Sequence, residues 1–147
     1  MEWMGEYTLE TKASRERVWE RWTRPEHWAA DDLDVVWARL DGPLTVGVSG
    51  VVKPRRGPAT KLTVTELQPP FGFTTETRLP MGRLYFEHTL EETLNGIRFT
   101  HRVRIVGPLS PLFGRLIGRK IVAGLPNVMG NIATASGDTD GESVTSS

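Results

Sequence analysis

From Ser110 to Ile132 the chain places Leu112, Phe113, Leu116, Ile117, Ile121, Leu125, Val128, Met129 and Ile132 at helical intervals. A stripe of this length is stable in water only when another layer covers it. Ser110-Pro111 reads as an N-cap followed by the first helical residue. Arg115, Arg119 and Lys120 make the run too charged to span a membrane. Pro126 lies inside it, where the missing N–H leaves the Val122 carbonyl without its usual partner and predicts a bend or local loosening. The cover must come from strands, because alternating or β-rich runs occupy Val35 to Leu40, Thr45 to Val52, Thr60 to Leu67, Phe71 to Leu79, Leu84 to Thr93 and Ile97 to Val106. Gly- and Pro-rich turns separate them, which predicts a largely antiparallel meander. Upstream, Glu6 to Thr11 alternates like a further strand. Ser14 then offers a cap to a helix carrying Val18, Trp19 and Trp22, and Pro25 opens a second short helix carrying His27 and Trp28.

The stretch FEHTLEETLNGIRFTH sets Phe86 and His88, then Phe99 and His101, on either side of Asn95-Gly96. Strand alternation puts Leu84, Phe86, His88 and Leu90 on one face, and Ile97, Phe99, His101, Val103 and Ile105 on the matching face of the next strand. Both histidines therefore point inward. An Asn-Gly turn predicts Leu94 opposite Ile97, His101 opposite Leu90 and His88 opposite Val103, with the imidazoles as diagonal neighbours whose Cβ atoms are roughly 7 Å apart.

Residue content narrows the class. The 147 residues, 38% hydrophobic and 24% charged, suit one domain spanning 1–134, with the polar tail 135–147 expected to be disordered. Eighteen basic and eighteen acidic side chains cancel, which argues against a nucleic-acid or anionic-membrane footprint. The absence of cysteine excludes disulfides and thiolate metal sites. The opening MEWMGEYTLE has glutamates where a signal peptide needs a basic start and an apolar run, so a cytoplasmic protein is expected.

With ASRERVWERWTRPEHW, VTELQPPFGFTTET, GIRFTHRVRIVGPL and LFGRLIGRKIVAGLPNVMGNI, residues 4 to 134 resemble the START/Bet v 1-like helix-grip superfamily (SRPBCC), in its polyketide cyclase/dehydrase-like branch. The resemblance implies an α+β fold: a seven-stranded antiparallel sheet wrapped around the C-terminal helix, two short helices between strands 1 and 2, and a cavity for lipids, polyketides or other apolar molecules. It carries no catalytic residue over by position.

The candidate ligand-binding residues are Trp28, Phe86, His88, Leu90, Phe99, His101, Val103, Ile117, Ile121 and Leu125. Neutral imidazoles would offer a donor and an acceptor to a ligand carbonyl or phenol. If the protein is an enzyme of cyclase, dehydratase or isomerase type, His101 or His88 is the candidate acid/base. The other reading for the pair is core histidines bonded to nearby groups. Glu92 shares their face but lies on the order of 13 Å along the strand from His88, so no metal is expected. No cofactor motif appears: the helix glycines Gly114, Gly118 and Gly124 lack phosphate-loop context and suit close packing, and GVSGV around Ser49 is not a nucleophile elbow. KPRRGPATK reads as a solvated connection rather than a nucleic-acid patch. Trp37, Glu76 and Arg78 have no assigned direction, and oligomeric state is left open. A small-molecule binder is the favoured class, and an enzyme or a groove for an apolar protein segment the others.

Overall fold

The structure, a computed structural model, describes residues 1–137 and the backbone of 144–146. The elements are β1 (Glu2–Thr11), α1 (Arg15–Thr23), α2 (Glu26–Asp31), β2 (Val35–Leu40), β3 (Ser49–Pro54), β4 (Thr60–Gln68), β5 (Gly72–Leu79), β6 (Gly82–Thr93), β7 (Gly96–Val106), α3 (Ser110–Phe113), a π-helical stretch Gly114–Gly118, α4 (Arg119–Ala135) and β8 (Val144–Ser146). The strand order is β2-β3-β4-β5-β6-β7-β1, with the short β8 added outside β1 along Thr8–Glu10. Every pairing is antiparallel. Seven strands thus wrap the long C-terminal helix, and two short helices link β1 to β2. Most of the tail expected to be disordered lies outside the described residues.

β7 shows why this sequence makes this sheet. Its residues alternate between buried and half-buried from Gly96 to Val106, with Ile97, Phe99, His101, Val103 and Ile105 inside. On the other face β1 contributes glutamates, β7 arginines and β6 glutamates. Arg98 meets Glu10 and Glu91, Arg102 meets Glu6 and Glu87, and Arg104 meets Glu2 and Glu87. Opposite charges on neighbouring strands favour this pairing over a slipped one.

One register differs from expectation. Thr93 pairs with Gly96, so Leu94 and Asn95 form the connection, and His88 lies directly opposite His101 rather than Val103. A Cβ on Gly96 would collide with the Thr11 carbonyl, so close approach of β1, not an Asn-Gly turn, requires glycine there. Strand starts also shift: β1 begins at Glu2, and β3 at Ser49, because residues 45–48 turn through the Val48 N–H to Thr45 carbonyl bond, with Gly47 at φ 95°.

The final helix is divided by packing. Leu109, not Ser110, occupies its cap position, and the Ser110 hydroxyl is buried without a partner among the described residues. The helix continues through exposed Pro126 to Ala135. Gly114 and Gly118 form the seat of the Trp3 indole, and a Cβ at either would fall well inside contact with the ring. Gly124 and Gly130 have open space at the same position. Gly114→Ala and Gly118→Ala should each lower stability by roughly 1–3 kcal/mol through overpacking. Gly124→Ala and Gly130→Ala should raise it by up to about 1 kcal/mol through helix propensity. Urea denaturation of the four variants checks this contrast, and equal effects at all four would contradict the packing account.

Candidate functional site

Trp22 organises the interior. The Ser14 hydroxyl accepts from the Arg17 N–H at 3.3 Å and starts α1, whose spacing sends Val18 and Trp22 onto the buried face. The Trp22 indole N–H donates to His101 Nε2 at 3.0 Å, joining α1 to β7 of the sheet. An accepting Nε2 carries no proton, so neutral His101 holds its proton on Nδ1, which is buried and unpartnered among the described residues. His88 is stacked between Phe73, 4.3 Å away and 3° from parallel, and Phe86 at 4.7 Å and 13°. The two imidazoles lie 4.5 Å apart, centroid to centroid.

Burial holds both rings neutral. The His88 pKa is pushed down to about 3, against an opposing Phe73 backbone interaction. His101 is held well below the usual imidazole range by burial and, secondarily, by His88. Below pH ~6.5 the unfolded chain takes up protons that the folded rings refuse. The stability contributed by neutral His88 is therefore full above that pH and falls as the pH drops towards 3, by about 1.4 kcal/mol per pH unit, and that of His101 falls in the same direction.

Beside this aromatic frame a cavity of about 320 Å³ opens between the sheet and α4. Its walls are Val35 of β2, Val52 and Pro54 of β3, Leu62 of β4, Phe73 and Thr75 of β5, Phe86 and His88 of β6, His101 of β7, and Ile121, Val128 and Ile132 of α4. Trp22, Trp28 and a polar group of Arg21, Asp31, Asp32 and Asp34 complete it. Arg21 makes paired bonds of 3.0 and 2.6 Å to Asp31, and Trp28 donates to the Trp22 carbonyl at 2.8 Å, so α1 and α2 are locked together. Asn131 of α4 donates to the Asp31 carbonyl at 2.9 Å and fixes the pair over the sheet. Asp32 has its pKa raised by burial, partly offset by the Asp34 N–H that bonds its carboxylate at 2.9 Å.

Among the candidates from sequence, Trp28, Phe86, His88, His101 and Ile121 meet at this cavity. Leu90, Phe99 and Leu125 lie in the main core, while Val103 and Ile117 pack in a second cluster with Leu84 and Ile105. Glu92 is exposed, does not line the cavity and reaches Arg15 at 3.5 Å. Glu76 pairs with Arg83 at 2.9 Å on the outer face, Arg78 is exposed, and exposed Trp37 carries the Arg39 guanidinium 5.6 Å from its ring centre. In KPRRGPATK, Lys53 donates to the Pro54 and Gly57 carbonyls and Arg55 to the Leu33 carbonyl. The Arg21 and Asp31 pair was missed by sequence reasoning, although the unusual Asp31-Asp32-Leu33-Asp34 run after Trp28 marks its place.

Two variants test the site's physics. His101→Phe strands the Trp22 N–H and should cost roughly 1–3 kcal/mol of stability at neutral pH. His88→Phe should instead gain on the parent protein by about 1.4 kcal/mol for each pH unit below ~6.5, read as diverging denaturation midpoints; parallel curves would contradict a neutral buried His88.

No family model matches the sequence, and no curated protein matches it. Solved structures do. The di-domain ARO/CYC StfQ from the steffimycin biosynthetic pathway aligns with a TM-score of 0.75 at 12% identity, over 96% of this chain and 52% of that one. Norcoclaurine synthase from Thalictrum flavum, in complex with dopamine and hydroxybenzaldehyde, gives 0.67 at 13% identity over 91% and 86%. Ara h 8.0201 gives 0.67 at 10% identity over 91% and 98%. The sheet, its order and the enclosed helix therefore have the helix-grip fold of the START/Bet v 1-like proteins.

Proposed function

We propose that this protein binds an apolar small molecule, of lipid, polyketide or aromatic type, between the sheet and α4. The observation that carries this is the cavity of about 320 Å³ with apolar walls from five strands and the helix, and two neutral imidazoles among them. That volume is at the lower end of the range for small-molecule sites, and apolar walls with a few polar groups are their usual make-up. Burial supplies the affinity, and the His88 and His101 edges orient a ligand oxygen. The solved structure of norcoclaurine synthase with two small aromatic molecules is a precedent on this fold.

An acid/base enzyme is a poorer reading of the same geometry. A general base works best with a pKa near the working pH, and His88 lies at about 3. His101 Nε2, the nitrogen free to accept, is already engaged by Trp22.

Titration with 2-acetonaphthone, followed by tryptophan emission from Trp22 and Trp28, should show saturable quenching, and native mass spectrometry a single adduct. Val128→Phe or Val52→Phe, which fill the cavity, should weaken binding at least tenfold. Unchanged affinity in both folded variants would place the ligand elsewhere and refute the proposal.

A further inference from the structure

The equal totals of acidic and basic residues conceal a local imbalance. No Asp or Glu occurs between Glu92 and Asp138, an interval that holds Arg98, Arg102, Arg104, Arg115, Arg119 and Lys120. The first three are neutralised by glutamates of β1 and β6 on the outer face of the sheet. Arg115, Arg119 and Lys120 have no acidic partner among the described residues.

These cations share a face. The π-helical stretch Gly114–Gly118 turns by less than the α-helical angle per residue, so residues four apart stay in line: Leu112, Leu116 and Lys120 form one row, and Arg115 and Arg119 the row beside it. All five side chains are exposed, and Leu112 and Leu116 are 48% and 53% exposed. The opposite face is committed to packing, with Gly114 and Gly118 beneath Trp3 and Ile117 and Ile121 against Leu84, Val103 and Ile105. The β5–β6 turn adds Met81, 71% exposed with φ 57°, whose carbonyl lies against Gly107 just before the helix. Neither leucine nor any of the three cations lines the cavity.

We propose that this face docks the protein on an anionic lipid surface. Its three cations without acidic partners give it a charge that an anionic surface complements. Leucines between cations match such a surface: the apolar side chains enter the headgroup boundary while the long basic side chains extend their charges to lipid phosphates. Three unpaired cations supply attraction worth about a fivefold change in partitioning each. This is surface attachment, and no helix among the described residues is long and apolar enough to cross a membrane.

Flotation with phosphatidylcholine vesicles, and with vesicles of equal parts phosphatidylcholine and phosphatidylglycerol, tests it. The full chain should float with the anionic vesicles, stay behind with the neutral ones, and be released by high salt. Arg115→Gln, Arg119→Gln and Lys120→Gln together should reduce partitioning on the order of 100-fold, and Leu112→Ser with Leu116→Ser about tenfold, with circular dichroism and melting temperature unchanged. Failure to float with anionic vesicles, or flotation that the leucine variant leaves intact, overturns the proposal. So does a wild-type dimer that the leucine variant converts to monomer, since a second copy would then own this face.

Discussion

The indole of Trp22 reaches across 79 residues of sequence to the imidazole of His101, and this one hydrogen bond sets conditions for the rest of the interior. It anchors the helical connection to β7, which is hydrogen-bonded on both sides, to β6 and to β1. It also assigns the tautomer, because a nitrogen that accepts from an indole cannot carry a proton. Around it Trp19, Phe73, Phe86 and Phe99 meet Trp22 or the histidines edge-on or stacked, at centroid distances between 4.3 and 6.3 Å. Such rings have few rotatable bonds, so the frame does not collapse readily into the neighbouring space. A cavity persists where the surrounding side chains are held by something other than the cavity's own contents.

The same frame decides between binding and acid/base chemistry. Burial removes the water that would stabilise an imidazolium, and among the described residues no carboxylate acts on either ring to replace it. Of the acidic groups lining the cavity, Asp31 is engaged by Arg21. An oxygen-bearing ligand would meet neutral, directional groups in an apolar setting, which favours recognition over proton transfer.

How much of this was legible in the sequence depends on what kind of information a residue carries. Period-two alternation from Leu84 to Ile105 told which side chains face inward, and it held at every position of β7. The helical stripe and the order of elements likewise followed from spacing. Register did not, because Asn95-Gly96 admits more than one pairing and the decision came from β1 packed against Gly96. The division of inward residues between core and cavity was also hidden. Phe99 and His101 are two residues apart on one face, yet one is in the core and the other at the cavity wall. Position along a curved sheet relative to the helix separates them, and that is a property of the assembled layers. Trp3, Gly114 and Gly118 illustrate the same limit: the glycines suggested close packing, but their partner lies more than a hundred residues away in sequence.

Charge follows a similar logic at larger scale. Neutral totals say little when pairing is decided strand by strand. On the outer face, glutamates of β1 and β6 bracket the arginines of β7, so these charges are consumed in fixing register. The helix contributes cations without acids because its neighbours on the buried side are apolar and its other side meets none of the sheet's glutamates. Leu112 and Leu116 lie among those cations, although Leu125, Met129 and Ile132 on the same helical run are buried. The apolar pattern that identifies this segment as a helix therefore contains more than one face. A reading that assigns every apolar residue in it to the core must fail at the N-terminal turns, where the Trp3 ring already occupies the side against the sheet.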